Sequence, residues 1–99
     1  MKSALDLQVL PLSTSSKEEL YRLVDRVIEV IEEAGVKYTV NPFSTTIEGE
    51  LEQIWEVAYK AHKKVLEADT GHNVISYIKL ASGKDMGSTD EKLSRHRVE

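Results

Sequence analysis

The hydrophobic and polar positions change period along the chain, and each period predicts an element. Residues 3–10 alternate, with the apolar side chains of Leu5, Leu7 and Val9 on one side of a predicted strand. Between residues 17 and 34 the apolar side chains recur in steps of three and four, which places them on one face of a helix. The chain is therefore predicted to begin with a strand followed by an amphipathic helix.

Polar residues mark the ends of these two elements. Ser16 and Glu19 have the spacing of a capping box at the start of the helix. Gly35 stands where a left-handed residue commonly ends a helix. Pro11 cannot donate a backbone hydrogen bond, so we expect it to end or bend the first strand.

The second half of the chain contains two more strands and a helix before a last strand. Residues 36–40 alternate, an Asn-Pro turn signal follows, and a third strand runs from about 43 to 49. A second amphipathic helix is predicted from 51 to 69 and a β-branched strand from 74 to 80. The order β-α-β-β-α-β predicts a ferredoxin-like α+β fold, a four-stranded antiparallel sheet with both helices on one face.

Two helices cannot cover both faces of such a sheet. Leu10, Tyr77 and Ile75 are apolar residues of the first and fourth predicted strands that do not all fit beneath the helices. An uncovered apolar face is typical of an oligomer. We therefore expect the open faces of two subunits to pack together.

The composition restricts the cellular compartment and the classes of partner that we expect for this protein. The 99 residues are predicted to form one domain over 1–84, and a polar tail over 85–99 in which a short helix contacts a neighbouring subunit. The absence of cysteine suits a reducing cytoplasm, and the N-terminus reads as a strand and not as a signal peptide. A net charge of -4 argues against nucleic acid, and no apolar run is long enough to span a membrane.

The residues that could carry chemistry form no catalytic or metal-binding motif. His62, His72 and His96 show no metal-ligand spacing, so we predict no metal site. The hydroxyl-bearing residues at 13–16 are interpreted as a helix cap in the first instance, and those at 44–46 as part of a polar strand. No nucleophile with a paired base is visible, which disfavours an enzyme.

Three other side chains have two interpretations each. Glu48 is either a solvated carboxylate at a strand end or an acceptor for a cationic or amino-bearing ligand. Trp55 and Tyr59 are one turn apart on the second helix and are more readily placed at the core edge or in a subunit contact than against a ligand. Phe43, beside the turn and the hydroxyl cluster, is the better stacking surface.

Three segments resemble one known family. The segments VLPLSTSS, VKYTVNPFSTTIEGE and KAHKKVL, in this order and spacing, are similar to those of the thiamine-binding protein family. The resemblance covers nearly the whole chain and implies a ferredoxin-like fold that assembles into dimers of dimers, a homotetramer. It also implies that thiamine or its hydroxymethylpyrimidine moiety is bound without turnover and without a further cofactor.

The resemblance implies a ligand groove made by two segments. In this interpretation Glu48 accepts a hydrogen bond from the aminopyrimidine, Thr46 and Ser15 supply hydroxyl contacts, and Phe43 forms a flat apolar wall. The candidate ligand-binding residues are Ser13, Thr14, Ser15, Phe43, Thr45, Thr46 and Glu48. Two alternatives stay open: an oligomeric regulatory or protein-interaction module without a small ligand, and, less favoured, an enzyme acting on a thiamine-related pyrimidine.

Overall fold

The computed structural model of the chain describes residues 1–12, 16–68 and 73–84. It contains β1 (Lys2–Pro11), α1 (Lys17–Ala34), β2 (Lys37–Val40), β3 (Thr45–Glu50), α2 (Leu51–Ala68) and β4 (Val74–Ser82). The predicted order of elements is confirmed. Strands β1 and β4 are slightly longer than predicted, and α2 follows β3 without an intervening loop. The predicted tail lies outside the described residues.

The sheet has the strand order β2-β3-β1-β4, and every pair is antiparallel. Both helices pack on one face of it, so the ferredoxin-like α+β fold is confirmed. The core consists of side chains from that face of the sheet together with the inner stripes of α1 and α2. Its buried members are Leu5, Leu7, Val9, Leu23, Val27, Ile31, Val36, Ile47, Ile54, Val57, Ala58, Ala61 and Val65. None of the described helices is long and apolar enough to cross a membrane.

The caps of α1 form as the sequence predicts. The Ser16 side chain accepts a hydrogen bond of 3.1 Å from the Glu19 backbone N–H. Gly35 has a φ of 70°, and its N–H donates to the Glu32 carbonyl oxygen at 3.1 Å. These bonds satisfy backbone groups that the helix ends leave without an intrahelical partner.

Strand β1 ends at Pro11, as the sequence predicts, and the missing N–H of this proline falls where no strand needs it. The Leu12 N–H donates to the Asn73 carbonyl oxygen at 2.8 Å, on the side of β4. Neighbouring residues of a strand direct their backbone groups to opposite sides, so the Pro11 nitrogen faces the side of β3. The pairing of β1 with β3 extends only as far as Leu7 opposite Thr45. Pro11 therefore interrupts no ladder in the described part of the sheet.

The face of the sheet opposite the helices is the bare face predicted from the sequence. Leu10 pairs with Ile75, and Tyr77 pairs with Gln8, which places these side chains opposite the buried Leu7 and Val9. Ile75 and Tyr77 are exposed in the single chain. Apart from Ala4 and Ala81, the rest of this face is polar, and it carries the candidate site.

Candidate functional site

A polar row crosses the bare face at the centre of the sheet. Asp6 of β1 lies opposite Thr46 of β3 on one side and Lys79 of β4 on the other, and Thr46 lies opposite Thr39 of β2. Directly paired residues of antiparallel strands project to the same face. The register therefore brings four polar side chains together from four different strands.

Asp6 is the acceptor of a small hydrogen-bond network. The Ser44 hydroxyl donates to Asp6 Oδ1 at 2.6 Å, and the Thr46 hydroxyl donates to the same oxygen at 3.3 Å. The Asn41 side-chain amide donates to Thr46 Oγ1 at 3.1 Å. This network ties the β2–β3 turn to the middle of β1, so the carboxylate and both hydroxyls are held in place.

Glu48 lies in the next row of the same face, between Lys37 of β2 and Ala4 of β1. Its side chain is only 10% exposed, and its Oε2 lies 3.5 Å from Lys37 Nζ. Ala4 and Ala81 are paired neighbours with short side chains. They help to leave a shallow depression of about 200 Å³ that Asp6, Thr46 and Lys79 also line.

The structure brings some of the predicted ligand-binding residues together and separates others. Thr46 and Glu48 project from β3 onto the bare face, as the proposed groove requires. Thr45 is buried and faces the helices, because alternate residues of a strand point to opposite faces. Phe43 is 82% exposed at the β2–β3 turn, where the Asn41 N–H donates to the Ser44 carbonyl oxygen at 2.8 Å.

The remaining predicted residues, Ser13, Thr14 and Ser15, lie outside the described residues. The structure adds polar side chains that the sequence analysis did not select as ligand-binding residues. These are Asp6, Asn41, Ser44 and Lys79. In the sequence, Asp6 stands out as a polar residue within the alternating pattern of β1. Only the strand register shows which side chains of the neighbouring strands lie beside it.

A second concave surface lies between α2 and β4. It is an apolar groove of about 280 Å³ lined by Trp55, Ala58, Tyr59, His62, Ser76 and Ile78. Trp55 and Tyr59 are each more than half exposed, so neither fills the core edge. We call this surface the α2–β4 groove.

The α2–β4 groove contains a histidine–serine contact that the sequence analysis missed. His62 Nδ1 lies 2.5 Å from Ser76 Oγ. The side chains that line the groove include no carboxylate to orient the imidazole, as a hydrolytic triad requires. The contact is a hydrogen bond that joins α2 to β4. Within the described ranges no cluster of three or more histidine, aspartate or glutamate residues could hold a metal ion.

The fold and the site define a small ferredoxin-like α+β protein with a carboxylate–hydroxyl row on an uncovered sheet face. The family model described as "Thiamine-binding protein" matches residues 5–97. The chain belongs to this family, as its sequence segments predict.

Relatives and solved structures agree with this membership. A UPF0045 protein of Clostridium perfringens is 39% identical over 93 residues, which are 94% of this chain and 95% of the relative. A Bacillus cereus structure of a domain of unknown function, DUF77, has a TM-score of 0.83 and 31% identity and covers 98% of this chain and 91% of its own. A Thermotoga maritima structure, named a candidate thiamine biosynthesis/salvage protein, has a TM-score of 0.82 and 26% identity and covers 98% of this chain and 100% of its own.

Proposed function

We propose that this protein binds thiamine or its hydroxymethylpyrimidine moiety without turning it over. The observation that carries the proposal is the polar row around Asp6 and Thr46, with Glu48 in the next row, on the bare sheet face of a chain that belongs to the thiamine-binding protein family. The name of the Thermotoga maritima structure supports the same class of ligand.

The chemistry of the row suits an aminopyrimidine. This ring carries an exocyclic amino donor beside a ring nitrogen, and a carboxylate or hydroxyl oxygen accepts from such an amino group. Asp6 supplies one carboxylate and Thr46, opposite it, a hydroxyl, while Glu48 supplies a second carboxylate from the next row. Phe43, exposed at the adjacent turn, would supply an apolar surface for a flat ring.

Charge favours the thiazolium part of the ligand as well. Thiamine carries a permanent positive charge on this ring, and a protein with a net charge of -4 attracts it over long range. Glu48 is the carboxylate that we assign to the ligand amino group. Lys37 lies 3.5 Å from it, so we infer that this lysine shifts aside when the ligand binds.

The test is isothermal titration calorimetry with thiamine and with hydroxymethylpyrimidine. Glu48→Gln and Asp6→Asn should each raise Kd at least about tenfold, because a hydrogen bond to a charged group contributes about 1.5–3 kcal/mol. Glu50→Gln is the matched control, since Glu50 lies on the same strand and face, two residues beyond Glu48, where its carboxylate accepts from the N-terminal amino group at 2.6 Å. The absence of heat and of any thermal shift with either ligand or its phosphate would refute the proposal.

We also infer that the bare face packs against the same face of a second subunit through Leu10, Ile75 and Tyr77, within a tetramer. The ligand would then lie at or beside a subunit boundary. A wild-type protein that sediments as a monomer at micromolar concentration would contradict this assembly. A tetramer that binds none of the ligands above would instead favour the protein-interaction module.

A further inference from the structure

The polar row on the bare face divides its hydrogen-bonding groups unevenly between the strands. Asp6 of β1 lies between Thr46 of β3 and Lys79 of β4. Both hydroxyls that donate to Asp6 Oδ1, those of Ser44 and Thr46, come from the side of β3. These two hydrogen bonds hold the carboxylate towards β3 and away from β4.

Lys79 is left without an acceptor by this arrangement. It lies directly opposite Asp6, yet within the described ranges its ammonium forms neither an ion pair nor a hydrogen bond. Lys37, the lysine of the next row, differs because its Nζ lies 3.5 Å from Glu48 Oε2. An ammonium group carries three donors and no acceptor. All three donors of Lys79 are therefore available to a bound group.

The shallow depression beside Lys79 provides room for such a group. Ala4 and Ala81 form a pair in its floor, one row along from Asp6 and Lys79. Its volume of about 200 Å³ is below the range of roughly 300–1,000 Å³ that is usual for drug-sized ligands. Among the described residues that line the depression, Lys79 is the one cation. The depression therefore suits a single ring with one short anionic substituent.

The two sides of the site offer opposite kinds of polar group. The carboxylates of Asp6 and Glu48 and the hydroxyl of Thr46 lie on β1 and β3, whereas Lys79 lies on β4. Neighbouring strands are about 4.8 Å apart, so β3 and β4, with β1 between them, are separated by about 10 Å. A ligand that spans this distance should carry a hydrogen-bond donor at its β3 end and an anionic acceptor at its β4 end.

Hydroxymethylpyrimidine has this polarity only when it is phosphorylated. Its amino group and its hydroxymethyl group stand on adjacent ring carbons, and the hydroxymethyl group is neutral. A phosphate monoester on that hydroxyl adds a charge of about −1.5 to −2 at pH 7 and three acceptor oxygens. Hydrogen bonds between an ammonium and a phosphate are charge-assisted and roughly twice as strong as neutral ones. The unpaired Lys79 ammonium is thus better matched by the phosphate ester than by the free alcohol.

We propose that this site selects the phosphate monoester of hydroxymethylpyrimidine over the unphosphorylated compound, and that Lys79 is the residue that determines this specificity. The inference rests on the proposed function, because it keeps the ligand amino group at Glu48. The pyrimidine then lies over Ala4, and its phosphate lies over Ala81 beside the Lys79 ammonium. The hydrogen bonds that hold Asp6 towards β3 keep its carboxylate from repelling the phosphate.

Isothermal titration calorimetry with hydroxymethylpyrimidine and with its phosphate measures this selectivity. The wild-type Kd for the phosphate should be at least about tenfold lower than the Kd for the unphosphorylated compound. The net charge of -4 repels an anion at long range, so this preference must come from a local contact. Added salt should reduce the preference, because it screens a contact between two charges, and should change the binding of the neutral compound little.

Substitutions of Lys79 identify the group responsible. Lys79→Met removes the ammonium and keeps an unbranched side chain, so the ratio of the two Kd values should fall close to one. Lys79→Arg keeps the positive charge and should retain most of the preference. Lys64→Met is the matched control, because it removes the same charge from an exposed position on α2, which packs on the opposite face of the sheet. It should leave the ratio unchanged.

Three results would overturn the proposal while unphosphorylated hydroxymethylpyrimidine still binds. The wild type binds both compounds equally, Lys79→Met keeps the preference, or Lys64→Met loses it as completely as Lys79→Met does. Circular dichroism confirms the fold of each variant, and Lys79→Gln replaces Lys79→Met should the latter not fold. In all three cases the proposed function stands. A wild-type protein that binds neither compound would refute both proposals, so the two failures are distinguishable.

Discussion

Gly49 is the position where one added methyl group should change stability for a reason specific to this fold. It lies in β3, and α2 begins at Leu51 without a loop, so the first turn of the helix packs closely on the strand. A Cβ at position 49 would lie 3.1 Å from Gln53 Oε1 and 3.2 Å from Ile54 Cγ2. Gln53 is exposed and can rotate away. Ile54 is fully buried, so its methyl group can move only by disturbing the core.

The expected effect of Gly49→Ala is the difference between two terms. Overpacking a well-filled core costs about 1–3 kcal/mol. Replacing glycine by alanine stiffens the unfolded chain, which stabilises the fold by about 0.4–1 kcal/mol. We therefore expect a net loss of about 0.5–2 kcal/mol in the free energy of unfolding.

A double-mutant cycle identifies the contact responsible. Ile54→Leu removes the methyl branch at Cβ that meets the new side chain, while it keeps the residue apolar and helix-forming. Urea unfolding followed by circular dichroism, at one fixed protein concentration, gives the four free energies. We expect Gly49→Ala to cost about 1 kcal/mol less in the Ile54→Leu background than in the wild type.

Two results would refute this reasoning. If Gly49→Ala is neutral or stabilising, the close approach of β3 and α2 imposes no steric cost. If the cost is the same in both backgrounds, Ile54 is not the group that the new methyl meets.

Two further predictions concern local contacts. Ser16→Ala should lower the free energy of unfolding by about 1 kcal/mol, because it removes the acceptor for the Glu19 N–H, whereas Ser16→Asn should retain most of the stability. The hydrogen bond that the Tyr38 hydroxyl donates to Glu32 raises the pKa of Tyr38 above its ordinary value of 10.0, with desolvation acting in the same direction. Since the folded state holds this proton more tightly, the stabilisation is complete below the unfolded-state pKa and is lost as the pH rises through the folded one. Ultraviolet difference titration should show the Tyr38 midpoint falling towards 10.0 in Glu32→Gln; an unchanged midpoint would contradict the assignment.

The candidate site shows which of its features a local sequence pattern can predict and which it cannot. The alternation of β3 shows that Thr46 and Glu48 share a face and that Thr45 does not, and this could be read from position alone. The contact between Ser44 and Asp6 joins residues that are 38 positions apart. No local pattern determines which residue of β1 lies opposite Thr46, so the network around Asp6 was not predicted.

Helix α2 shows a second limit of what can be predicted from the sequence. Its apolar residues form two stripes, and periodicity alone does not show how far each is buried. Burial resolves this: Ile54 and Ala61 are in the core, while Trp55 and Tyr59 face outward beside β4. Only the structure shows that this outward stripe lies beside β4, an edge strand of the sheet.

The sequence by itself determined the element order, the caps of α1 and the face that each residue of a strand occupies. These properties depend on backbone preferences and on side chains within a few residues of one another. The tertiary structure alone decided that Pro11, the last residue of β1, would lie opposite Val74, that Asp6 would meet Ser44 and Thr46, and that β4 would be the edge strand beside the outer stripe of α2. Each of these depends on pairing between distant segments, and the burial and hydrogen bonding of the whole sheet select that pairing.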